Sequence, residues 1–272
     1  MGGFVLLNAQ NKDINEKMTV HFVQIETISK TFKEFIDNNL KTICRGENHE
    51  NELKYIKKQL KNFFKNKDDA KKFGSIGELF SHFYLSSIDF RPKFMFLNLE
   101  ENSVKKGFDG FYEKSEMVWL LDSKSGRYDS KSISHRSKIL EAYRSVKGQL
   151  GGEVSNNPWE NAFQHANSRD INSSDSLLKT IRKFSNEYLD EEFADMKTLN
   201  LILASTIYWY DEWSGKEIND LLRELENVQR GMEYSNLTIF CSNKKTFEEF
   251  LEYLEEEEDY ELEREAAADV SK

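Results

Sequence analysis

The chain has 272 residues and a formal net charge of −10, with 32% charged and 13% aromatic residues. This length can bury a sizeable core and favours one elaborated domain over two. No apolar run approaches the roughly 20 residues of a membrane-spanning helix, and the N-terminus lacks the pattern of a signal peptide. Cys44 and Cys241 lie far apart and outside any C-x-x-C pattern. We therefore expect reduced thiols in a cytoplasmic protein, with no structural zinc site.

Charge is distributed unevenly along the chain. Acidic residues dominate between Glu248 and Glu265, and the remainder is close to neutral, whereas lysines concentrate in residues 54–72 and 124–147. A protein that binds DNA by itself normally presents a basic surface that displaces counterions. The sequence therefore predicts local electrostatic steering only, with most substrate affinity supplied by a partner protein.

Hydrophobic periodicity and capping residues predict a mixed α/β unit in the first 150 residues. The first predicted elements are a strand at 19–25, helices at 29–44 (N-cap Ser29) and 51–65, and a helix from Asp68 or Asp69 to about Leu85. They are followed by strands at 93–99, 107–112 and 116–123, a turn at Gly126, and a helix at 133–150.

The second half is predicted to open with a long loop or insertion at 151–174, which is rich in Gly, Asn and Ser. The run 199–206 is apolar enough for a strand buried on both faces. The other predicted elements are helices at 177–188, from Ser214 and Gly215 to about Met232, and at 245–254, with a strand at 237–242. We expect one domain over 1–255, its core at about 68–210, and an acidic C-terminal tail over 256–272.

Two aspartates and a lysine suggest metal-dependent phosphodiester hydrolysis. Asp109 lies between glycines in G-F-D-G, and Asp122-x-Lys124 follows an apolar run at the end of a predicted strand. Carboxylates bind a hard divalent cation, which polarises a phosphate and helps generate hydroxide. Lys124 shares a strand face with Asp122 and could position water or offset phosphate charge. The structural alternatives are a turn in which Asp109 bonds its own backbone and a surface salt bridge at the strand end.

The two aspartates are expected to meet across a hairpin. A turn at Lys114-Ser115 would place Asp109 opposite Leu120 and make Asp122 its diagonal neighbour, within reach of a shared ion. A register slip of one residue would undo this arrangement.

Glu78 and His82 lie four residues apart and so share one helical face. The first histidine of an H-E-x-x-H zinc motif is missing, which excludes that class. His82 is expected to be a core histidine. Glu78 is expected to complete the metal site, with a structural salt bridge as its alternative.

Other residues carry weaker signals, and an ordinary structural role is expected for most of them. No G-x-x-x-x-G-K-[ST] or G-x-S-x-G motif occurs, which argues against a P-loop and an esterase. The weaker candidates are Ser123 and Ser125 for phosphate, Lys131, His135, Arg136 and Lys147 for a nucleic-acid backbone, Gln149 for water, and Trp159, His165 and Trp213 for base stacking.

At these residues the chain resembles the PD-(D/E)XK restriction-endonuclease-like nucleases and, more narrowly, the HamA family of bacterial Hachiman anti-phage defence systems. The resembling stretches are 77–85, 107–110 and 119–124. Asp122 stands where the relatives usually have Glu, so the carboxylate is one methylene shorter. The resemblance implies a restriction-endonuclease-like α/β fold, in which helices flank a mixed central sheet and helices and strands elaborate the N-terminus.

The resemblance also implies a nuclease that cuts DNA with Mg²⁺ or Mn²⁺ as the effector of a defence complex, restrained by a HamB-like DNA helicase. In this scheme Asp109 and Asp122 ligate the metal, Glu78 supports it or a second ion, and Lys124 aligns the attacking water. The alternatives are a weakly active or inactive interaction subunit of such a complex, and a nuclease that cleaves RNA.

Overall fold

The computed structural model describes residues 9–65, 67–97, 107–209 and 217–256, which contain seven strands and eight α-helices. The strands are β1 (Gln10–Asn15), β2 (Met18–Ile25), β3 (Arg91–Pro92), β4 (Gly110–Lys114), β5 (Met117–Arg127), β6 (Asn200–Tyr208) and β7 (Asn236–Lys244). The helices are α1 (Lys30–Arg45), α2 (Leu53–Lys65), α3 (Asp69–Ser87), α4 (His135–Leu150), α5 (Pro158–Ala166), α6 (Asp175–Leu189), α7 (Ile218–Glu224) and α8 (Phe247–Tyr253), with a 3₁₀ turn at Met196–Thr198.

The strands form one mixed sheet in the order β1-β2-β7-β6-β5-β4-β3. The four central strands pair in parallel, and the outer strands β1, β4 and β3 pair antiparallel. Parallel strands require cover on both faces, and β6 and β7 are buried along almost their whole length. The sheet with its flanking helices confirms the predicted α/β fold class.

The sheet separates two hydrophobic layers. Helices α1, α2, α3 and α8 pack on one face, whereas α4, α5, α6 and α7 pack on the other. Successive residues of a strand point to opposite faces, so Leu121 of β5 joins the first layer and Leu120 the second. By the same alternation, Asp122 and Lys124 face the layer that contains α4.

Two predicted helix starts are confirmed by capping hydrogen bonds. The Ser29 hydroxyl accepts a hydrogen bond from Phe32 N at 3.2 Å, and the Asp68 carboxylate accepts one from Lys71 N at 2.9 Å. Each bond satisfies a backbone donor that has no partner within the first helical turn. Cys44 and Cys241 are buried free thiols, and none of the helices in the described ranges is long and apolar enough to cross a membrane.

Several local predictions are wrong. Gly126 lies inside β5 rather than at a turn, because pairing with β6 continues to Arg127. The strand predicted at 93–99 is wrong in its described part, because residues 93–97 form no strand and β3 covers only Arg91–Pro92 before them. The predicted loop at 151–174 contains α5, which Asn157 caps and Pro158 begins. Helix α7 ends at Glu224 rather than at about Met232, where the predicted helix ends. Ser214, Gly215 and the acidic tail from residue 257 onward lie outside the described residues.

Candidate active site

A hairpin between β4 and β5 sets the register of the site. Its loop is Ser115-Glu116, and both residues have positive φ, at 51° and 62°. This conformation is typical of the two-residue turns whose twist matches that of antiparallel strands. Lys114 therefore pairs with Met117. The predicted turn at Lys114-Ser115 is wrong by one residue.

The corrected register aligns the two aspartates. Gly110 pairs with Leu121, so the next position along the ladder sets Asp109 against Asp122 instead of Leu120. Moving the turn by one residue shifts the partner of Asp109 by two residues along β5. Residues two apart on a strand point to the same face, so both aspartates still lie on one face of the sheet. β4 begins only at Gly110, and Asp109 Oδ2 accepts a hydrogen bond from Ser123 N at 2.7 Å in place of a ladder bond.

Asp122 lies at the centre of a hydrogen-bonded cluster. Its side chain is only 1% exposed. Lys124 Nζ donates a hydrogen bond to Asp122 Oδ1. Ser145 Oγ donates to Oδ2 at 2.6 Å, and Gln149 Nε2 lies 3.4 Å from the same oxygen. Ser145 and Gln149 are four residues apart on α4 and so face the strand together. The Asp122 carboxylate is therefore held in one orientation from both its strand and the covering helix.

Electrostatics link Asp122, Lys124, Asp109 and Glu78. Burial raises the pKa of the Asp122 carboxyl above its usual value, and the charge of Glu78 adds to this, whereas Lys124 and the Ser145 hydroxyl oppose it. Partial burial alone would lower the pKa of the Lys124 ammonium, but the carboxylates of Asp122 and Asp109 outweigh burial and raise it. Lys124 thus interacts with both aspartates, and the Glu78 charge also reaches Asp122.

Glu78 approaches from the opposite face of the sheet, on α3. Gly77 permits this close packing, because a Cβ there would overlap the Ser125 hydroxyl and come within 3.2 Å of Thr206 Cβ. Glu78 Oε1 lies 3.4 Å from His82 Nε2. His82 is fully buried, as predicted, and its Nδ1 hydrogen-bonds the Tyr112 hydroxyl.

The donor set suits a hard cation, but the full predicted ligand set does not gather in one place. Within the described ranges, no group of three or more His, Cys, Asp or Glu side chains could hold a metal ion together. Asp109 and Asp122 supply the carboxylate oxygens that Mg²⁺ and Mn²⁺ prefer. Metal ligation by these two residues and by Glu78 therefore stays a prediction.

A cleft of about 540 Å³ opens beside the cluster. Ser145 and Gln149 both line it and hold Asp122, and Arg144 and Gly107 form other parts of its wall. Gln149 Oε1 is buried and has no hydrogen-bond partner among the described residues. A substrate in this cleft would lie against the residues that orient Asp122.

The weaker candidates fall into three groups. Trp159 and His165 are buried, and His165 Nδ1 accepts a hydrogen bond from Met95 N at 3.1 Å, so neither is a stacking platform. His135 is buried between Ser205 and Asn243. Lys131, Arg136 and Lys147 are exposed. Trp213 lies outside the described residues.

Sequence reasoning missed Ser145. A serine in a helix is unremarkable by itself, and its only signal is the four-residue spacing to Gln149, which was already a weak candidate.

The mixed sheet and its Asp-x-Lys strand are consistent with a protein of the restriction-endonuclease-like α/β class. Comparison with family models gives a closer assignment. The chain belongs to the HamA family, whose model matches residues 4–257. This is a family of Hachiman anti-phage defence, so membership indicates a defence role. No curated protein and no solved structure matches the chain.

Proposed function

We propose that this protein is a metal-dependent nuclease that hydrolyses DNA phosphodiester bonds as the effector of an anti-phage defence complex. The observation that carries the proposal is the setting of the buried Asp122. It is paired with Lys124 on one strand face and aligned with Asp109. Ser145 and Gln149, which hold its carboxylate, line the neighbouring cleft. A buried ion pair beside a cleft is an expensive arrangement for stability alone, which favours a functional role.

Asp109 and Asp122 would hold Mg²⁺ or Mn²⁺, and the charge of Glu78, which reaches Asp122, would add negative potential at the ion. When bound, such an ion polarises the scissile phosphate and lowers the pKa of coordinated water.

The chain's own residues would prepare the site in three ways. Lys124 would place a positive charge beside the phosphate and orient the attacking water. Ser145 and Gln149 would keep the Asp122 carboxylate in one orientation, as outer partners of metal ligands usually do. Arg144, on the cleft wall, would offset the charge of a neighbouring phosphate.

A partner would supply most of the grip on DNA. The net charge of −10 disfavours unassisted binding to a polyanion. A HamB-like helicase in the same complex would present the DNA and restrain cleavage until it is needed.

The test is cleavage of supercoiled plasmid with Mg²⁺, by the chain alone and together with the helicase. We expect Asp122→Asn and Lys124→Met to lose activity by about a hundredfold or more, as for the loss of a metal ligand or of a charge placed at the reacting phosphate. Lys179→Met, which changes an exposed lysine of α6, should keep wild-type activity. Equal rates for all variants would refute the assignment, and competition between DNA and RNA substrates decides which polymer is cut.

A second candidate is an interaction subunit without cleavage activity. It is favoured by the absence, within the described ranges, of three side chains that could share one metal ion. On this alternative, cells that carry Asp122→Asn would resist phage as well as wild-type cells do. Loss of protection with an intact complex would instead support the nuclease.

A further inference from the structure

A lysine-rich surface on α2 lies apart from the candidate active site. The spacing of its lysines, i, i+4, i+7 and i+11, places them along one side of the helix, while Ile56, Leu60 and Phe64 on the other side are buried. We name this side the lysine face; it consists of Lys54, Lys58, Lys61 and Lys65. Lys58 and Lys65 are exposed, and the other two are partly buried.

The local charge of this region is opposite to that of the whole chain. Residues 53–72 contain eight lysines and two aspartates, a net charge of +6, whereas the whole chain carries −10. The lysine face extends over eleven helical steps, or about 16 Å, which is long enough to follow several consecutive phosphates.

The acidic end of the chain begins against this surface. Glu255 lies 3.7 Å from Lys61, and Glu256 lies 2.5 Å from Lys33 of the neighbouring α1. In the sequence, Glu257, Glu258 and Asp259 follow directly. The acidic segment of the chain therefore starts beside its most basic helix.

Helix α8 fixes this juxtaposition. The Tyr253 hydroxyl hydrogen-bonds Asp37, and Lys57 Nζ lies 2.9 Å from the same carboxylate and 4.1 Å from the centre of the Tyr253 ring. Because Lys57 is itself buried, this contact holds the end of α8 firmly against α1 and α2.

We propose that the lysine face, together with Lys33 of the neighbouring α1, binds the sugar-phosphate backbone of a nucleic-acid strand. Glu255 and Glu256, which pair with Lys61 and Lys33, compete with that strand. Lysine is a point charge that suits phosphate contacts without sequence readout. Tyr55 is 48% exposed, and Lys54 Nζ lies over its ring at 5.3 Å from the ring centre. An exposed aromatic ring next to a positive charge can stack a base. An exposed ring within a row of single positive charges favours nucleic acid over an acidic protein surface.

Asp122, Lys124 and the cleft lie on the α4 side of the sheet, so the lysine face would hold a part of the substrate away from the scissile bond, and in this respect the inference rests on the proposed function. Helix α2 packs on the same face of the sheet as α3, which carries Glu78. The ring of Phe96 connects the two helices. Its centre lies 5.7 Å from that of Phe63 on α2 and 5.9 Å from that of His82 on α3.

The test is fluorescence anisotropy with labelled single-stranded and duplex oligonucleotides, at several NaCl concentrations and in EDTA so that nothing is cut. Lys58→Gln with Lys65→Gln should weaken binding and reduce the slope of log K against log salt by about 1.4 on single strands. Lys179→Gln with Lys183→Gln, which removes two exposed lysines of α6, is the matched control and should leave the slope unchanged. Glu255→Gln with Glu256→Gln should tighten binding about two- to fivefold per ion pair.

Two results would overturn the inference: a lysine variant that binds like its control, or a glutamate variant that binds no more tightly than wild type. Displacement by polyglutamate as efficiently as by an oligonucleotide of equal charge would reassign the surface to an acidic protein. Because the assay contains no metal, its failure is separate from a failure of cleavage. If Asp122→Asn binds normally but does not cut, both proposals stand.

Discussion

Removing Lys124 should destabilise the protein more than neutralising Asp122, although the two residues form one ion pair. The reason is their different exposure, 24% for the Lys124 side chain and 1% for the Asp122 side chain. Lys124→Met leaves a carboxylate buried without its counter-charge, which costs about 3 kcal/mol. Asp122→Asn keeps an acceptor for Ser145 and lets Lys124 turn towards solvent, so we expect a cost of about 1 kcal/mol.

This asymmetry is measurable by denaturation in EDTA. A difference of 2 kcal/mol corresponds to about 3–4 °C in melting temperature for a chain of this length, from an unfolding entropy of about 2.1 cal/mol/K per residue. Urea unfolding followed by circular dichroism gives the free energies directly. The matched control is Lys138→Met, because Lys138 is paired at 2.8 Å with the half-exposed Glu141 and should change stability by less than about 1 kcal/mol.

The pH dependence provides a second measurement on the same variants. Burial already raises the pKa of Asp122 in the folded state, and Lys124→Met removes the main group that opposes this shift. The folded variant then binds a proton more readily than the unfolded chain does. The loss of stability in Lys124→Met is therefore full at neutral pH and shrinks as the pH falls through the pKa of Asp122 in the folded state. Equal costs for the two variants, or a deficit for Lys124→Met that does not shrink at lower pH, would refute this reasoning.

Two further predictions concern packing and protonation. Gly77→Ala should cost about 1–3 kcal/mol of stability because its methyl group would overlap the Ser125 hydroxyl. Gly74→Ala in the same helix would place its methyl group where no atom lies within 4 Å, and it should stabilise the protein by up to about 1 kcal/mol. A calorimetric comparison that reversed this order would contradict the packing described. Burial, together with the charge of Lys114, lowers the pKa of His21 to about 4, so between pH 6.5 and 4 the unfolded state binds a proton that the folded state does not. Stability should fall by up to about 3 kcal/mol as the pH drops over that range. If the stability of a His21→Gln variant fell just as steeply in urea titrations, His21 would not be the group responsible.

Local sequence patterns determined much of the fold. β-branched and aromatic residues predicted β2, a continuous apolar run predicted β6, and a short strand was expected where β7 lies. Helical periodicity with Ser29 and Asp68 as caps predicted α1 and α3. These features depend on neighbouring residues, because a cap bonds within one turn and a strand alternates every second residue. The same local rule placed Asp122 and Lys124 on one face of β5.

The hairpin register depended on conformation that the sequence does not signal. Ser115 and Glu116 both adopt positive φ without the Asn or Gly that usually marks such a turn. The pairing of β4 with β5 imposes this conformation, so the turn lies one residue beyond its predicted position. Gly126 remains in β5 for a similar reason, since β6 supplies a partner strand up to Arg127.

The tertiary structure alone decided what surrounds Asp122. Ser145 is 23 residues away in the sequence and meets the carboxylate only because α4 packs across β5. Glu78 was expected to join the aspartates, yet α3 brings it from the opposite face of the sheet. The sequence by itself named the acids and the lysine, and it placed Asp122 and Lys124 on one face of a strand because that placement follows from local periodicity. Which side each helix covers, and therefore which groups touch the acids, depends on how the two hydrophobic layers pack on the sheet.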